Sequence, residues 1–161
     1  MEQIRNFDPA TDSEAVAAIY GWYVENTTAT FELIPPTAQM IKLRLTNPAL
    51  PCLVMERDGT ILGYCYAHPW KKYPAYDITL ESTIYLRPDS IGKGHGRLLM
   101  ESLINECRKR GYVSLIACIT SENTESCSFH ESLGFRQVSQ FHNVGRKFDR
   151  LLDVSDYQLI L

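Results

Sequence analysis

Residues 90–100, SIGKGHGRLLM, place glycine at every second position, Gly92, Gly94 and Gly96, immediately before a run of helix-forming residues. Glycines between a strand and a helix allow successive backbone N–H groups to turn toward one point, and they let an anion approach the main chain. The N-terminus of the following helix adds partial positive charge. The stretch therefore predicts a loop that binds phosphate or pyrophosphate. The alternative is a flexible turn that only reverses the chain.

Two other phosphate-binding loops do not match this stretch. The pattern G-x-x-x-x-G-K-[ST] is absent, and a dinucleotide-binding loop would have its third glycine where Arg97 stands. The loop must therefore be interpreted together with the elements around it.

Length and composition limit the classes of protein to which the chain can belong. Its 161 residues, 45% of them hydrophobic, suffice for one domain, 1–161, with one sizeable core. A net charge of −3 argues against a nucleic-acid partner. The first residues lack a basic region followed by an apolar stretch, and no run of about 18 apolar residues occurs. We therefore expect a soluble cytoplasmic protein without a membrane partner.

The cysteines and histidines do not follow the spacing of a metal site. The cysteines are odd in number and scattered, which favours buried free thiols over metal ligands or a disulfide framework. They are Cys52, Cys65, Cys107, Cys118 and Cys127. His68, His130 and His142 show no H-x-x-x-H or Cys/His spacing. We expect no metal.

The predicted elements alternate in the order β-α-α-β-β-β-α-β-α-β-β, which implies a mixed sheet with helices on both faces. Thr11 with Glu14 predicts a capping box for the first helix, and Thr37 predicts the start of the second. Asp58–Gly59 predicts the tight turn of a hairpin. The other predicted elements are strands at 3–7, 75–86, 113–120, 137–144 and 148–161 and helices at 97–111 and 123–135.

The predicted strand before the glycine loop, in ITLESTIYL, has one polar face. Strict alternation places Glu81 near the middle of that face, between Thr79 and Thr83. Partial burial there would raise the pKa of Glu81 and suit it to accept a proton. The alternative is a solvent-facing glutamate on an open sheet.

The predicted helix in NTESCSFHESLGF places Asn123, Ser126 and His130 on one face, at spacings of three and four residues. His130 can then donate a proton or bind a substrate beside a cleft. The alternative is a hydrogen-bonded packing histidine next to an apolar stripe.

Taken in order, these features resemble the GNAT superfamily of N-acetyltransferases, and more closely its phosphinothricin and methionine sulfone/sulfoximine acetyltransferase branch. The likeness covers nearly the whole chain, in the blocks IYGWYVENTTATFE, GYCYAHPW, AYDITLESTIYL, NTESCSFHESLGF and VGRKFDRLLDV. It implies an α/β (α+β) fold, with a mostly antiparallel central sheet of about seven strands, helices on both faces and two splayed central strands. It also implies acetyl-CoA as cosubstrate and direct transfer of its acetyl group to the primary amine of a small amino-acid-like acceptor.

The resemblance also implies roles for individual residues. Glu81 matches the general base, and a backbone N–H near Ile84, Tyr85 or Leu86 would polarise the thioester carbonyl. His130 matches a position that is a tyrosine in many superfamily members, where it protonates the departing thiolate, and a histidine in this branch. The residues implied in holding the cosubstrate are Ile84, Tyr85, Leu86, Ile91, Gly92, Lys93, Gly94, His95, Gly96, Arg97, Asn123 and Ser126. Those implied in the acceptor pocket are Phe31, Glu32, Lys71, Tyr73, Tyr76 and Thr83.

Two positions depart from the pattern of the branch. Ile91 stands where the phosphate loop usually opens with Arg or Gln, so we expect somewhat weaker cosubstrate binding. Tyr73 stands where the W-[KR]-x-R motif has its arginine, and tyrosine cannot bind a carboxylate or phosphinate bidentately. Lys71, Lys72 and Tyr76 can partly replace that arginine.

The sequence leaves other functions open, and it does not determine the oligomeric state. The chain can instead acetylate a protein or peptide N-terminus or a lysine, or it can be a non-catalytic acyl-CoA-binding sensor. The family is commonly dimeric, so we expect a homodimer, with the tail FHNVGRKFDRLLDV pairing or covering a neighbour's cleft. The alternative for the tail is two edge strands.

Overall fold

The computed structural model describes all residues, 1–161, and its elements follow the predicted order. The strands are β1 Glu2–Asn6, β2 Cys52–Arg57, β3 Thr60–Pro69, β4 Thr79–Leu86, β5 Ser114–Thr120, β6 Arg136–Lys147 and β7 Arg150–Ile160. The helices are α1 Ser13–Asn26, α2 Ala38–Leu45, α3 His95–Lys109 and α4 Thr124–Ser132. None of these helices combines the length and the apolar character needed to cross a membrane.

The predicted boundaries differ from the observed ones by up to about four residues, and the starts of α1 and β4 are two examples. Asp12 and not Thr11 occupies the N-cap position of α1, but its side chain makes no capping hydrogen bond, because the carboxylate accepts from Arg5 at 2.7 and 2.9 Å instead. Strand β4 begins at Thr79, because Pro74–Tyr76 forms a short 3₁₀ turn that proline favours at its first position. Thr37 caps α2 as predicted, since its side chain accepts from the Met40 N–H.

The seven strands form one sheet in the order β1-β2-β3-β4-β5-β7-β6. All neighbouring pairs are antiparallel except β4 and β5, which are parallel. The predicted fold class is therefore confirmed. Of the two tail strands, only β6 lies at an edge of the sheet, because β7 pairs with β5 on one side and β6 on the other.

Two hydrophobic clusters hold helices on opposite faces of the sheet. Helix α3 packs on one face through fully buried side chains that include Leu99 and Leu103, each worth about 1.5–3 kcal/mol of burial. Helices α1 and α2 pack on the other face, where Val16 and Ile41 lie against Val54 of β2. The strands alternate their side chains between the two clusters, as a sheet covered on both faces requires.

All five cysteines are unpaired. Cys65 and Cys107 are buried in the cluster under α3, as predicted. Cys118 is exposed, because it lies on a stretch of β5 that the helices leave open. Burial was therefore the wrong expectation for this thiol.

Candidate active site

Strands β4 and β5 separate after three paired residues. Residues 79–81 pair with 114–116, and beyond them neither strand has a partner on the facing edge. Arg87 N–H donates to Leu62 O of β3 at 2.8 Å, so the alternation along β4 turns the N–H groups of Leu86 and Ile84 toward the gap. The Tyr23 hydroxyl donates to the Leu86 carbonyl at 2.6 Å and satisfies one group that pairing would otherwise have used. The gap therefore offers free backbone donors.

A cavity of about 640 Å³ fills this gap and brings together most of the predicted site residues. Its walls include Glu81, Thr83, Ile84, Tyr85, Leu86, Ile91, Gly92, Gly94, Gly96, Arg97, Asn123, Ser126, His130 and Phe31. A second hollow of about 560 Å³ lies between α1 and the β2–β3 turn. Its charged residues are already paired, Arg5 with Asp12 and Arg87 with Asp89, so we place the candidate active site in the gap.

The glycine loop presents backbone at one end of the cavity. Gly92 and Gly94 have φ values of +79° and +85°, and no atom lies within 4 Å of where their Cβ atoms would be. Gly94 is also the N-cap of α3. An anion can therefore approach the main chain and the helix N-terminus together, which fits a pyrophosphate.

Side chains of the loop are engaged outside the cavity. The Lys93 ammonium donates to the Asp89 carbonyl at 2.7 Å, and the buried His95 ring contacts Ser90 O and the Glu2 carboxylate. Neither residue is part of the cavity wall. Any contribution from these two residues to cosubstrate binding therefore comes from their backbone N–H groups.

Glu81 projects from the middle of β4 into the cavity, with a quarter of its side chain exposed. Burial raises its pKa, the His68 imidazole lowers it, and the Asp156 carboxylate raises it, with a net upward shift. A carboxylate with a raised pKa is a better proton acceptor near neutral pH than an exposed glutamate.

Helix α4 forms the opposite side of the cavity. Asn123 caps the helix by accepting the Ser126 N–H on its side-chain oxygen at 3.2 Å, which leaves its amide NH₂ free to donate. His130 is buried, and its Nδ1 lies 2.8 Å from the Ser126 carbonyl. Because a carbonyl only accepts, Nδ1 carries the hydrogen and Nε2 carries the lone pair of the neutral ring. Burial lowers the pKa of His130, so this neutral form is favoured.

The loop 28–32 joins the two sides of the gap. Tyr85 of β4 donates to Ala29 O at 3.3 Å, and Thr120 of β5 donates to Thr28 O at 2.5 Å. The buried Lys147 ammonium of β6 donates to Thr30 O at 2.8 Å. The loop is therefore hydrogen-bonded to both of the separated strands.

Glu122, in the turn after β5, also binds loop 28–32. Its carboxylate accepts from the Thr28 hydroxyl at 2.5 Å and from both terminal nitrogens of Arg150 at 2.9 Å. These hydrogen bonds, with that of Arg150 the largest influence, hold the pKa of Glu122 at about 2. Sequence reasoning did not assign Glu122, Thr120 or Lys147 a role, because their contacts join positions about 90 to 120 residues apart.

The predicted acceptor residues divide between the cavity and its surroundings. Phe31 and Thr83 are in the cavity wall, whereas Glu32 forms an ion pair with Arg44 at 2.7 Å outside it. The remaining three, Lys71, Tyr73 and Tyr76, lie between β3 and β4 and do not contribute to the wall. There the Lys71 ammonium packs over Trp70 at 4.3 Å, and Tyr73 is largely exposed.

Gly145 of β6 leaves the space that the Phe31 ring occupies. A Cβ on Gly145 would lie 2.8 Å from Cδ2 and Cζ of the Phe31 ring and closer still to Cε2. Non-bonded carbon atoms do not approach one another this closely, so the Phe31 ring packs directly against the backbone of Gly145. The block VGRKF quoted from the sequence contains this glycine, but no local pattern in it indicates an aromatic partner more than 100 residues away.

Comparisons with known proteins agree with this geometry. Residues 15–135 match the Acetyltransferase (GNAT) family. The chain is 41% identical over 146 residues to a phosphinothricin N-acetyltransferase from Alcaligenes faecalis, an alignment that covers 88% of this chain and 74% of that protein. It is 34% identical over 154 residues to an L-methionine sulfoximine/L-methionine sulfone acetyltransferase from Pseudomonas aeruginosa, covering 93% and 90% of the two chains.

A solved structure gives the same result at the level of the fold. A GNAT superfamily phosphinothricin acetyltransferase from Sinorhizobium meliloti, in complex with AcCoA, superposes with a TM-score of 0.94 at 32% identity, covering 99% of this chain and 88% of that one. The chain therefore belongs to the GNAT family of acyltransferases. Within that family it is an acetyltransferase close to the phosphinothricin and methionine sulfoximine enzymes.

The contact between Gly145 and Phe31 predicts a specific coupling. Gly145→Ala forces the Phe31 ring to move and should lower the free energy of unfolding by about 1 kcal/mol. In a Phe31→Ala background the same substitution should have almost no effect, because the clashing ring is gone. Urea unfolding of the four proteins in this cycle measures the coupling, with Val144→Ala as the exposed neighbouring control. Equal losses in both backgrounds would contradict the contact.

Proposed function

We propose that this chain, as a single domain spanning 1–161, transfers the acetyl group of acetyl-CoA to the primary amine of a small amino-acid-like acceptor. The observation that supports this proposal most directly is that one cavity brings together the glycine loop, the unpaired edge of β4 and Glu81. Free backbone donors, an anion-binding loop and a carboxylate of raised pKa are the groups that direct acyl transfer to an amine needs.

Acetyl-CoA supplies the activated thioester when it is bound. Backbone N–H groups of 91–97 would hold its pyrophosphate, and Asn123 and Ser126 would steady its pantetheine arm. The N–H groups of Ile84 and Leu86, which face the gap, would donate to the thioester carbonyl oxygen and stabilise the negative charge that develops there. Ile91 at the start of the loop contributes backbone but no charged side chain.

Glu81 acts as the general base in this proposal. The acceptor reaches the cavity as an ammonium, which has no lone pair until it loses a proton. Glu81 accepts that proton, directly or through a water molecule, and the freed amine attacks the thioester. Because the pKa of Glu81 is raised, its carboxylate binds the proton more strongly than an exposed glutamate would.

His130 acts as a neutral hydrogen-bonding residue between turnovers. Its Nδ1–H is committed to the Ser126 carbonyl, and its lowered pKa keeps Nε2 unprotonated. Nε2 can therefore accept a proton as the amine becomes an amide and pass it to the departing thiolate sulfur. In this order of steps, His130 donates the proton that it has just accepted. No imidazolium therefore has to persist at this buried position between turnovers.

Selection of the acceptor would come from Phe31 and Thr83 in the wall and from the basic segment 70–76 nearby. Tyr73 replaces the arginine that would bind an acidic group bidentately. Lys71 and Lys72 still carry positive charge, which favours an acceptor with a carboxylate or a similar anionic group over an extended protein substrate.

A panel of amines tests the acceptor class. Thiol release from acetyl-CoA should be fastest with methionine sulfone, methionine sulfoximine or phosphinothricin, and slower with ordinary amino acids and polyamines. A peptide N-terminus or a lysine peptide as the best acceptor would instead support the alternative, a protein acetyltransferase. Binding of acetyl-CoA without turnover on any amine would support a non-catalytic sensor.

Substitution of the proposed base separates binding from chemistry. Glu81→Gln preserves size and should leave the affinity for acetyl-CoA, measured by calorimetry, unchanged. It should lower kcat by about 100-fold or more, because an amide cannot accept the proton. Glu131→Gln on the exposed side of α4 is the matched control. A Glu81→Gln enzyme as active as the wild type would remove Glu81 from the mechanism.

We further propose a cytoplasmic homodimer. Apolar side chains of the β6–β7 hairpin are about half exposed, among them Phe141, Val144, Phe148 and Leu151. Such a surface supports self-association through this hairpin. Light scattering should give twice the chain mass of 18.4 kDa, and a monomeric mass would end this part of the proposal.

A further inference from the structure

His68 lies next to the proposed base but outside the cavity wall. It is the directly opposed residue on the neighbouring strand, since the register of β3 and β4 pairs His68 with Glu81. Its Nε2 is 3.5 Å from Oε2 of Glu81. Opposed side chains on one face of a sheet are held close by the backbone, so this approach does not depend on a flexible loop.

The orientation of the His68 ring is fixed by its other nitrogen. Nδ1 lies 3.1 Å from the Pro69 carbonyl, which can only accept, so Nδ1 carries the hydrogen. In the neutral ring the lone pair is then on Nε2, which can accept a hydrogen from a protonated Glu81, whereas only the protonated ring presents a hydrogen to the ionised carboxylate. The Tyr66 ring, whose centroid is 5.7 Å from that of His68, packs beside the imidazole.

The two side chains differ in exposure, which gives proton transfer between them a direction, from Glu81 to His68. Glu81 is one-quarter exposed, whereas His68 is 37% exposed. Each acetyl transfer from a thioester to an ammonium releases one proton, and Glu81 must lose it before the next turnover. Imidazole is the side chain that exchanges protons readily near neutral pH.

We propose that His68 is the positioning residue of Glu81 and relays the released proton from Glu81 Oε2 through its Nε2 to bulk water. The inference rests on the proposed function, in which Glu81 is the base. An N–H bond of the ammonium breaks as an O–H bond forms on Glu81. That O–H bond then breaks as Nε2–H forms, and the imidazolium gives the proton to water, which returns both residues to their starting states.

Other groups act on Glu81 from the strands around it. Asp156 of β7 and the thiol of Cys118 on β5 are the further titratable neighbours, and Asp156 raises the pKa of Glu81. His68 lowers this pKa when its ring is protonated, because the imidazolium then stabilises the neighbouring carboxylate. Catalysis by a base requires the carboxylate, so activity falls as the pH drops through the pKa of Glu81. Removing His68 should therefore move the acid limb of the pH profile to higher pH.

The experiment compares wild type, His68→Gln, His68→Ala and the control His142→Gln, an exposed histidine on β6. Both His68 variants should shift the acid limb of kcat upward, and His68→Ala should lose about 10-fold or more in kcat. Free imidazole should restore the kcat of His68→Ala in proportion to its concentration, and it should not affect His142→Gln. Unchanged kcat, or a loss that imidazole does not restore, would overturn the relay.

A second measurement does not need turnover. The Glu81 carboxyl carbon, assigned through Glu81→Gln in ¹³C-glutamate-labelled protein, should titrate at higher pH in His68→Gln than in wild type. An identical midpoint would overturn the pairing of the two residues. Since this titration needs no acceptor, failure of the proposed function on every amine stays distinguishable from failure of the His68 assignment.

Discussion

Strands β4 and β5 share only three residue pairs before they separate, and the candidate active site depends on that separation. Parallel strands in a covered sheet normally pair along their length, because unpaired backbone groups are costly to bury. Here the Tyr23 hydroxyl binds one freed carbonyl, and loop 28–32 lines the gap and accepts hydrogen bonds from both strands. The remaining donors face the cavity. A fully paired β4 would have no backbone donors for a ligand.

The anchoring of loop 28–32 links distant parts of the chain to this gap. Helix α1 holds it through Tyr20, whose hydroxyl lies 2.6 Å from the Thr30 hydroxyl, and β6 holds it through Lys147. Lys147 is buried, and burial lowers its pKa, which makes an ammonium at this position costly. Its hydrogen bond to Thr30 O offsets part of that cost. The loop that shapes the acceptor side is therefore fixed by residues that do not touch the acceptor.

The sequence predicted the parts of this arrangement that are encoded locally. Alternation along ITLESTIYL placed Glu81 on the polar face of a central strand, and the glycine spacing indicated the loop before α3. The element order and the resemblance together gave the sheet and its splayed strands. The start of α1 was wrong by one residue, and the Arg5–Asp12 ion pair found there joins two elements that local spacing does not relate.

Contacts between remote segments could not be predicted in this way. Neither Gly145 against Phe31 nor His68 against Glu81 leaves a local pattern. The first depends on how loop 28–32 packs on β6, and the second depends on the register of β3 and β4. The basic segment 70–76 was expected in the acceptor pocket, yet Lys71 packs on Trp70 and lies outside the cavity wall. Spacing shows that these charges are near β4 in the chain, but only the fold shows where they point.

Hydrogen–deuterium exchange with and without acetyl-CoA tests the central claim most directly. If the gap between β4 and β5 is the cosubstrate site, acetyl-CoA should slow exchange of the amides in residues 82–86 and 91–97. Exchange in residues 11–19 and in the β2–β3 turn, which line the second hollow, should not change. Protection confined to that second hollow, or no protection in the glycine loop at saturating acetyl-CoA, would contradict the assignment of the site.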